Sequence, residues 1–148
     1  MVIDVRITHE EINVSEVIKE MIKNSSSEGS LVMFLGYVKE FVDGHRVNKL
    51  IYEAYEPYST QILKRIVSEV VDDDITDVRV YHRVGVLSPH EPVIYIFVIA
   101  KSRSKAFEKC RELLEKIKHE VPIFKLEVRD DGEYWIVGDG LRIKRDNL

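Results

Sequence analysis

Hydrophobic positions recur along this chain with two different periods, and each period predicts one kind of element. Residues 2–8 alternate between apolar and polar side chains, which is typical of a half-buried strand, and the apolar run at 93–100 is typical of a fully buried one. Apolar residues spaced three and four positions apart predict helices, the first beginning after the capping residue Asn13. The patterns predict strands over 2–8, 31–35, 47–56, 75–84, 93–100, 123–129 and 133–137, and helices over about 14–22, 57–71 and 105–119.

The order of these elements predicts the class of fold. Strands and helices are interleaved without the strict alternation of a doubly wound sheet, so we expect an α+β fold. It should be a single domain over 1–148, with a mixed or antiparallel sheet, 93–100 as the central strand and the helices packed mainly on one face. Residues 39–46 are predicted to be a polar loop with a turn at Asp43-Gly44. The segment 141–148, with the basic residues Arg142, Lys144 and Arg145, either covers a pocket or is a flexible, solvated tail, and we favour the solvated tail.

Composition and charge exclude several classes of protein. No segment approaches the roughly 18 apolar residues that a membrane span requires, and the first residues lack the pattern of a secretory signal. We therefore expect a cytoplasmic protein that does not enter membranes. A formal net charge of −4 argues against a general nucleic-acid binder, which needs a basic face. The single Cys110 excludes an internal disulfide, and its helical spacing from Phe107 and Leu114 favours core packing over catalysis.

Four cationic residues near the predicted ends of elements are the main candidates for chemistry: Lys39, Arg103, Lys118 and Lys125. If the fold brings them together, they form an anion site, and two ammonium groups held close together lower the pKa of one of them. A structural explanation is equally simple for Lys118, because a cation in the last helical turn is favoured by the helix dipole. Arg103 begins a helix, where a cation is mildly unfavourable, so its position hints at another role.

The histidines offer little chemistry. None forms a pair at the spacing of metal ligands with an accompanying carboxylate, so no metal is assigned. His82, on an apolar strand face, is expected to be a hydrogen-bonded core residue. Nucleophile elbows and glycine-rich phosphate loops are both absent from the sequence.

A series of short motifs between Gly29 and Trp135 resembles the large, catalytic subunit of molybdopterin synthase, the MoaE family. The motifs are 29–30 (GS), 34–39 (FLGYVK), 50–55 (LIYEAY), 82–87 (HRVGVL), 102–107 (SRSKAF) and 118–125 (KHEVPIFK), followed by Gly132 and Trp135. The resemblance implies an α/β hammerhead-like fold and a sulfur transfer without a bound cofactor. A small ubiquitin-like partner would bring sulfur as a C-terminal thiocarboxylate, and cyclic pyranopterin monophosphate would accept two such deliveries to become molybdopterin.

The same resemblance implies roles for particular residues. Lys118 and Lys125 match the two lysines held to be essential in the family, and they would polarise the thiocarboxylate and transfer protons. The resemblance implies that the substrate pocket is lined by Tyr37, Val38, Lys39, Ser102, Arg103, Lys118, Lys125, Leu126 and Glu127. It also implies a homodimer within a heterotetramer, in which the segment 102–103 reaches the pocket from the neighbouring protomer.

Three residues depart from the family pattern. Lys39 stands where the family usually has Arg, which keeps the charge but loses bidentate phosphate recognition. Ser102 replaces a usual His, so it offers a hydrogen bond but not acid or base chemistry near neutral pH. Phe124 replaces a frequent Trp.

Two alternatives to the enzyme are a non-catalytic module that binds a ubiquitin-like tail or small anion, and an RNA-binding sheet, which the acidic charge disfavours.

Overall fold

The computed structural model describes residues 1–138 and 140–145. Its helices are α1 (Val14–Lys23), α2 (Tyr58–Val70) and α3 (Arg103–Glu120). Its strands are β1 (Val2–Thr8), β2 (Leu31–Tyr37), β3 (Phe41–Val42), β4 (His45–Ala54), β5 (Ile75–Arg83), β6 (Gly85–Leu87), β7 (Pro92–Ala100), β8 (Ile123–Arg129), β9 (Gly132–Val137) and β10 (Leu141–Lys144). Among these residues, no helix has the combination of length and apolar character needed to cross a membrane.

Four strands form the first sheet in the order β1-β5-β7-β2. β1 runs parallel to β5, and the other pairs are antiparallel, so the sheet is mixed as predicted. β7, the most apolar run of the chain, lies between β5 and β2, which confirms its prediction as a central strand. The α+β class is likewise confirmed, since three helices accompany strands that are not wound in regular β-α-β units.

Helices cover both faces of this sheet. α2 and α3 pack on one face, where Ile66 and Leu113 join a core with Ile96 and Val98 of β7. α1 packs on the opposite face through Met21, against a second core that includes Phe97. The prediction of helices mainly on one face thus holds for two of the three helices. The third is required because β7 is apolar on both faces, and each face must be shielded from water.

A second sheet, which the sequence did not predict as separate, positions the candidate site. Its order is β10-β9-β8-β4-β3, with β6 also paired to β4. The predicted polar loop over 39–46 is in fact a hairpin of β3 and the start of β4. The turn predicted at Asp43-Gly44 is confirmed: both residues have positive φ, 52° and 78°, as a two-residue hairpin turn with right-handed strand twist requires.

The expected solvated tail is wrong over Leu141–Lys144, which form β10 and pair antiparallel with β9. The physical reason is visible in the sequence, because Leu141 and Ile143 alternate with Arg142 and Lys144 at the period of a strand. Pairing with β9 satisfies the backbone groups of both segments. Residues 146–148, the remainder of the expected tail, lie outside the described residues.

Candidate active site

A cleft of about 290 Å³ lies where the end of α3 meets the start of β8. Lys118 enters it from the last turn of α3, and Lys125 enters it as the third residue of β8. The lining also includes Tyr37 at the end of β2, Tyr52 of β4 and His82 of β5. One lysine lies on a helix and the other on a strand. Both side chains reach the same cleft because α3 and β8 are joined by a short connection.

An adjoining cleft of about 240 Å³ shares both lysines and adds Lys39, Glu127 and Arg142 to the lining. The two clefts also share Tyr37 and Tyr52, so they form one continuous concave surface. Its described lining residues include four cationic side chains, Lys39, Lys118, Lys125 and Arg142, and the carboxylate of Glu127. A concave surface with this balance of charge attracts anions, even though the whole chain is acidic.

Strand register explains how Lys125 is positioned. Lys125 pairs directly with Tyr52 of β4 on one side and with Ile136 of β9 on the other. Directly paired residues of antiparallel strands point to the same side of a sheet, and the ammonium nitrogen of Lys125 lies 5.9 Å from the centre of the Tyr52 ring. Burial, with a contribution from the charge of Glu127, raises the pKa of Tyr52, so its hydroxyl stays protonated near neutral pH.

His82 lies beneath these residues as a neutral group. Its side chain is buried, its Nδ1 lies 2.7 Å from the carbonyl oxygen of Arg83, and its ring packs edge-on at 5.8 Å from the ring of Tyr52. Burial, with a smaller contribution from the charge of Lys125, lowers the pKa of His82 to about 4 against the opposing effect of the hydrogen bond to Arg83. The prediction of a hydrogen-bonded core histidine is confirmed, although one edge of the residue also lines the cleft.

Comparison with known proteins identifies the family. The family model described as MoaE protein matches residues 7–120, which is more than half of the chain. The chain belongs to the MoaE family. Among its relatives, the molybdopterin synthase catalytic subunit of Pyrococcus abyssi (strain GE5 / Orsay) is 42% identical, over 88% of this chain and 87% of the relative. The corresponding subunit of Bacillus subtilis (strain 168) is 38% identical, over 91% and 85%.

Solved structures of the MoaE family share this fold. The crystal structure of molybdopterin synthase from Staphylococcus aureus has a TM-score of 0.77 at 29% identity, over 87% of this chain and 93% of that one. A complex of subunits 1 and 2 of molybdopterin-converting factor from Helicobacter pylori 26695 has a TM-score of 0.68 at 17% identity, over 98% and 90%, which is a likeness of fold. The family and the enzyme class predicted from the sequence, a molybdopterin synthase catalytic subunit and hence a sulfur-transferring enzyme, are confirmed.

Two of the residues that the MoaE resemblance assigned to the pocket, Ser102 and Arg103, lie far from it. They stand at the N-terminal end of α3, whereas Lys118 stands in its last turn, so the helix separates Arg103 from Lys118 by about 22 Å. Ser102 caps the helix, since its hydroxyl oxygen accepts a hydrogen bond from the backbone N–H of Lys105 at 3.2 Å. Within one protomer, these two residues and the lysine pair do not meet.

Val38 and Leu126 are buried rather than presented to the described lining of the cleft. Val38 is 1% exposed in a core cluster of the second sheet, and its backbone N–H and carbonyl bond to Glu91 and His90. Leu126 is 6% exposed and pairs with Ile51 and Trp135 in the sheet. Both side chains pack in the core and so help to hold the adjacent residues of the chain in place. Of the other residues assigned to the pocket, the clefts are lined by Tyr37, Lys39, Lys125 and Glu127.

The sequence did not single out two residues that the structure brings to the clefts, Tyr52 and Arg142. Tyr52 lay within a quoted family motif, but only the pairing of β4 with β8 shows that it stands beside Lys125. Arg142 was placed in the basic segment 141–148, for which a solvated tail was favoured over a cover for a pocket. The alternation of apolar and basic residues over 141–144 was the signal that could have identified it as a strand residue.

One group of possible metal ligands lies away from the cleft, at the turns joining β3 to β4 and β8 to β9. It consists of His45, Asp130 and Asp131, whose ligand atoms lie within 4.8 Å of one another. The imidazole Nδ1 and Nε2 lie 2.9 and 3.4 Å from one oxygen of each carboxylate. Asp131 also accepts hydrogen bonds from Arg129 and Tyr134. Because these atoms already bind one another, we assign no metal to the group.

Proposed function

We propose that this chain transfers sulfur at the cleft between α3 and β8, with Lys118 and Lys125 as the catalytic residues. The sulfur donor is the thiocarboxylated C-terminus of a small ubiquitin-like subunit, and the acceptor is cyclic pyranopterin monophosphate, which becomes the molybdopterin dithiolene after two deliveries. The observation that carries the proposal is the convergence of both lysines on one concave surface. The donor is an anion and the acceptor carries a phosphate, so both are attracted to this surface.

The lysines supply two functions in this proposal. An ammonium group beside the thiocarboxylate polarises it, and the second lysine supplies the transferred proton as an ammonium group or accepts it as a neutral amine. Tyr37, Lys39 and Glu127 line the same surface, and Lys39 contributes a positive charge to the phosphate site. The buried Cys110, whose pKa burial raises to about 11, is not a sulfur carrier, which agrees with sulfur arriving on a partner.

The proposal includes the assembly. Ser102 and Arg103 contribute to a cleft only if they come from a second copy of the chain, because α3 holds them about 22 Å from Lys118 of their own protomer. We therefore propose a homodimer within a heterotetramer, located in the cytoplasm. We also propose that 1–148 is a single domain, since β7 contributes residues to all three core clusters.

A reconstituted assay tests the function. The purified chain is mixed with a thiocarboxylated small subunit and cyclic pyranopterin monophosphate, and the dithiolene product is detected by fluorescence after oxidation. We expect product in stoichiometric yield with the thiocarboxylate consumed. A stable complex with the small subunit that forms no dithiolene would contradict the proposal and favour the non-catalytic binding module.

A further inference from the structure

Glu127 presents a problem of charge within the cleft. Its side chain is 2% exposed, and it lies two residues after Lys125 on the same face of β8. A buried carboxylate needs a partner, because removal from water is costly unless a cation and hydrogen bonds replace it. Unless it is neutralised, its charge also weakens the attraction of the cleft for an anionic substrate.

Arg142 of β10 is the partner that the structure provides. Its Nε and Nη2 donate to the two carboxylate oxygens of Glu127 at 2.9 and 3.2 Å, a bidentate pair, and its Nη1 donates to the carbonyl oxygen of Gly140 at 3.2 Å. Arg129 lies farther away, with its Nη1 3.8 Å from Glu127. Both charged groups of the Arg142 pair are thus bound to each other in a fixed geometry.

Strand register brings this pair to the lysines. Tyr52, Lys125, Ile136 and Arg142 are successive direct partners across β4, β8, β9 and β10, so they form one row on one face of the second sheet. All four line the cleft that contains Lys39 and Lys118. Arg142 also lies outside residues 7–120, the part of the chain that the family model matches.

We propose that Arg142 is a positioning residue of the anion site. It neutralises Glu127 and holds that carboxylate in the bidentate pair, so that the cleft keeps a net positive charge toward the anionic substrate. Losing Arg142 leaves a negative charge among the lysines, which repels an incoming phosphate and competes for their donors. The inference rests on the proposed function only in naming the phosphate of the pterin as the anion.

Binding of inorganic phosphate, measured by calorimetry without turnover, tests this role. We expect Arg142→Met to weaken phosphate binding by about tenfold, and Glu127→Gln added to Arg142→Met to restore it to within about twofold, because the double variant removes both charges. In the sulfur-transfer assay, Arg142→Met should raise KM for the pterin more than it lowers kcat. Arg145→Met is the matched control, since Arg145 pairs with Glu133 at an exposed position and should bind phosphate as the unaltered chain does.

Each result decides the proposal. Unchanged phosphate binding in Arg142→Met overturns it, and so does a double variant as weak as the single one, because Arg142 would then contact the anion itself. If Arg142→Met fails to fold, Glu127→Gln alone serves: tighter phosphate binding supports the proposal, and unchanged or weaker binding overturns it. Absence of turnover together with the expected phosphate pattern would count against the proposed function and not against Arg142.

Discussion

Lys118 and Lys125 reach one cleft from two elements, the last turn of α3 and the third residue of β8. The connection between them contains Pro122, whose carbonyl oxygen accepts a hydrogen bond from the hydroxyl of the fully buried Ser59 in α2 at 2.7 Å. α2 therefore anchors the connection, so the relative positions of the two lysines are held by the fold as well as by the chain between them.

Replacing Lys125 with Ala should abolish dithiolene formation and leave the protein folded. We expect activity to fall by a factor of about 10² or more, because a positioned proton-transfer group contributes roughly that much. The reconstituted assay measures the loss, and circular dichroism and gel filtration verify the fold and the assembly. Lys64→Ala is the control, since Lys64 is exposed on α2. Full activity in Lys125→Ala would disprove the role of this lysine.

Replacing Lys39 with Arg should improve substrate binding. A guanidinium can bind a phosphate through two parallel N–H donors, whereas an ammonium acts as a point charge. We expect KM for cyclic pyranopterin monophosphate to fall by roughly threefold in Lys39→Arg and to rise by about tenfold in Lys39→Met, which removes the charge. Identical KM values in the two variants would show that Lys39 does not contact the phosphate.

His82 should make the protein less stable as the pH falls from about 6.5 to 4. The folded state keeps the imidazole neutral, with a pKa of about 4, while the unfolded state binds a proton near pH 6.5. Unfolding therefore takes up a proton in this window, and about 3 kcal/mol of stability is lost across it. Above pH 6.5 the effect is absent.

A variant isolates this contribution from that of the carboxylates. His82→Asn retains a donor near the position of Nδ1 but does not titrate, so its stability should depend less steeply on pH between 6.5 and 4. Urea unfolding at a series of pH values measures the difference. His9→Asn is the control, since His9 is exposed. Its free energy of unfolding should depend on pH as steeply as that of the unaltered chain. If the free energy of unfolding fell equally steeply with pH in His82→Asn and in the unaltered chain, His82 would not be the source of the pH dependence.

Cys110 should be inert in the folded protein. Burial raises the pKa of its thiol to about 11, so almost no thiolate is present at pH 8, and iodoacetamide should react far faster after unfolding in urea. Cys110→Ala should keep sulfur transfer and lose about 1 kcal/mol of stability from the small cavity left behind. Loss of sulfur transfer in a folded Cys110→Ala protein would indicate a sulfur-carrying cysteine instead.

Local patterns in the sequence were sufficient to predict most elements. Asn13 caps α1 through a bond to the backbone N–H of Glu16, and the apolar run at 93–100 is β7, because both signals act within a few residues. The position of α1 on the second face of the first sheet was also implicit, since a strand apolar on both faces needs cover on both. The prediction of 93–100 as a central strand correctly implied that the strand is buried, but it did not include a helix on each face of the sheet.

Pairing between distant segments was beyond the local patterns. The division into two sheets depends on β4 pairing with β8, in which Tyr52 meets Lys125 across 73 positions of chain, and no periodicity encodes that partnership. The positions of Lys118 and Lys125 near the ends of predicted elements made them candidates, but their catalytic roles came from the family resemblance, because a lysine in a last helical turn is ordinary. The pairing of Arg142 with Glu127 was not predicted, because a solvated tail was favoured for the segment 141–148 and its pairing with β9 was not recognised.

The length of α3 has a consequence for how this chain can vary. Ser102 and Arg103 lie at one end of the helix, and Lys118 lies in the last turn at the other end. The number of residues between them fixes both their distance and the relative directions of their side chains around the helix axis. Inserting or deleting one residue would rotate Lys118 by about 100° around the helix axis and shift it by about 1.5 Å. Because Lys118 must keep its position in the cleft, we expect insertions and deletions to be tolerated in the turns between elements and not within α3.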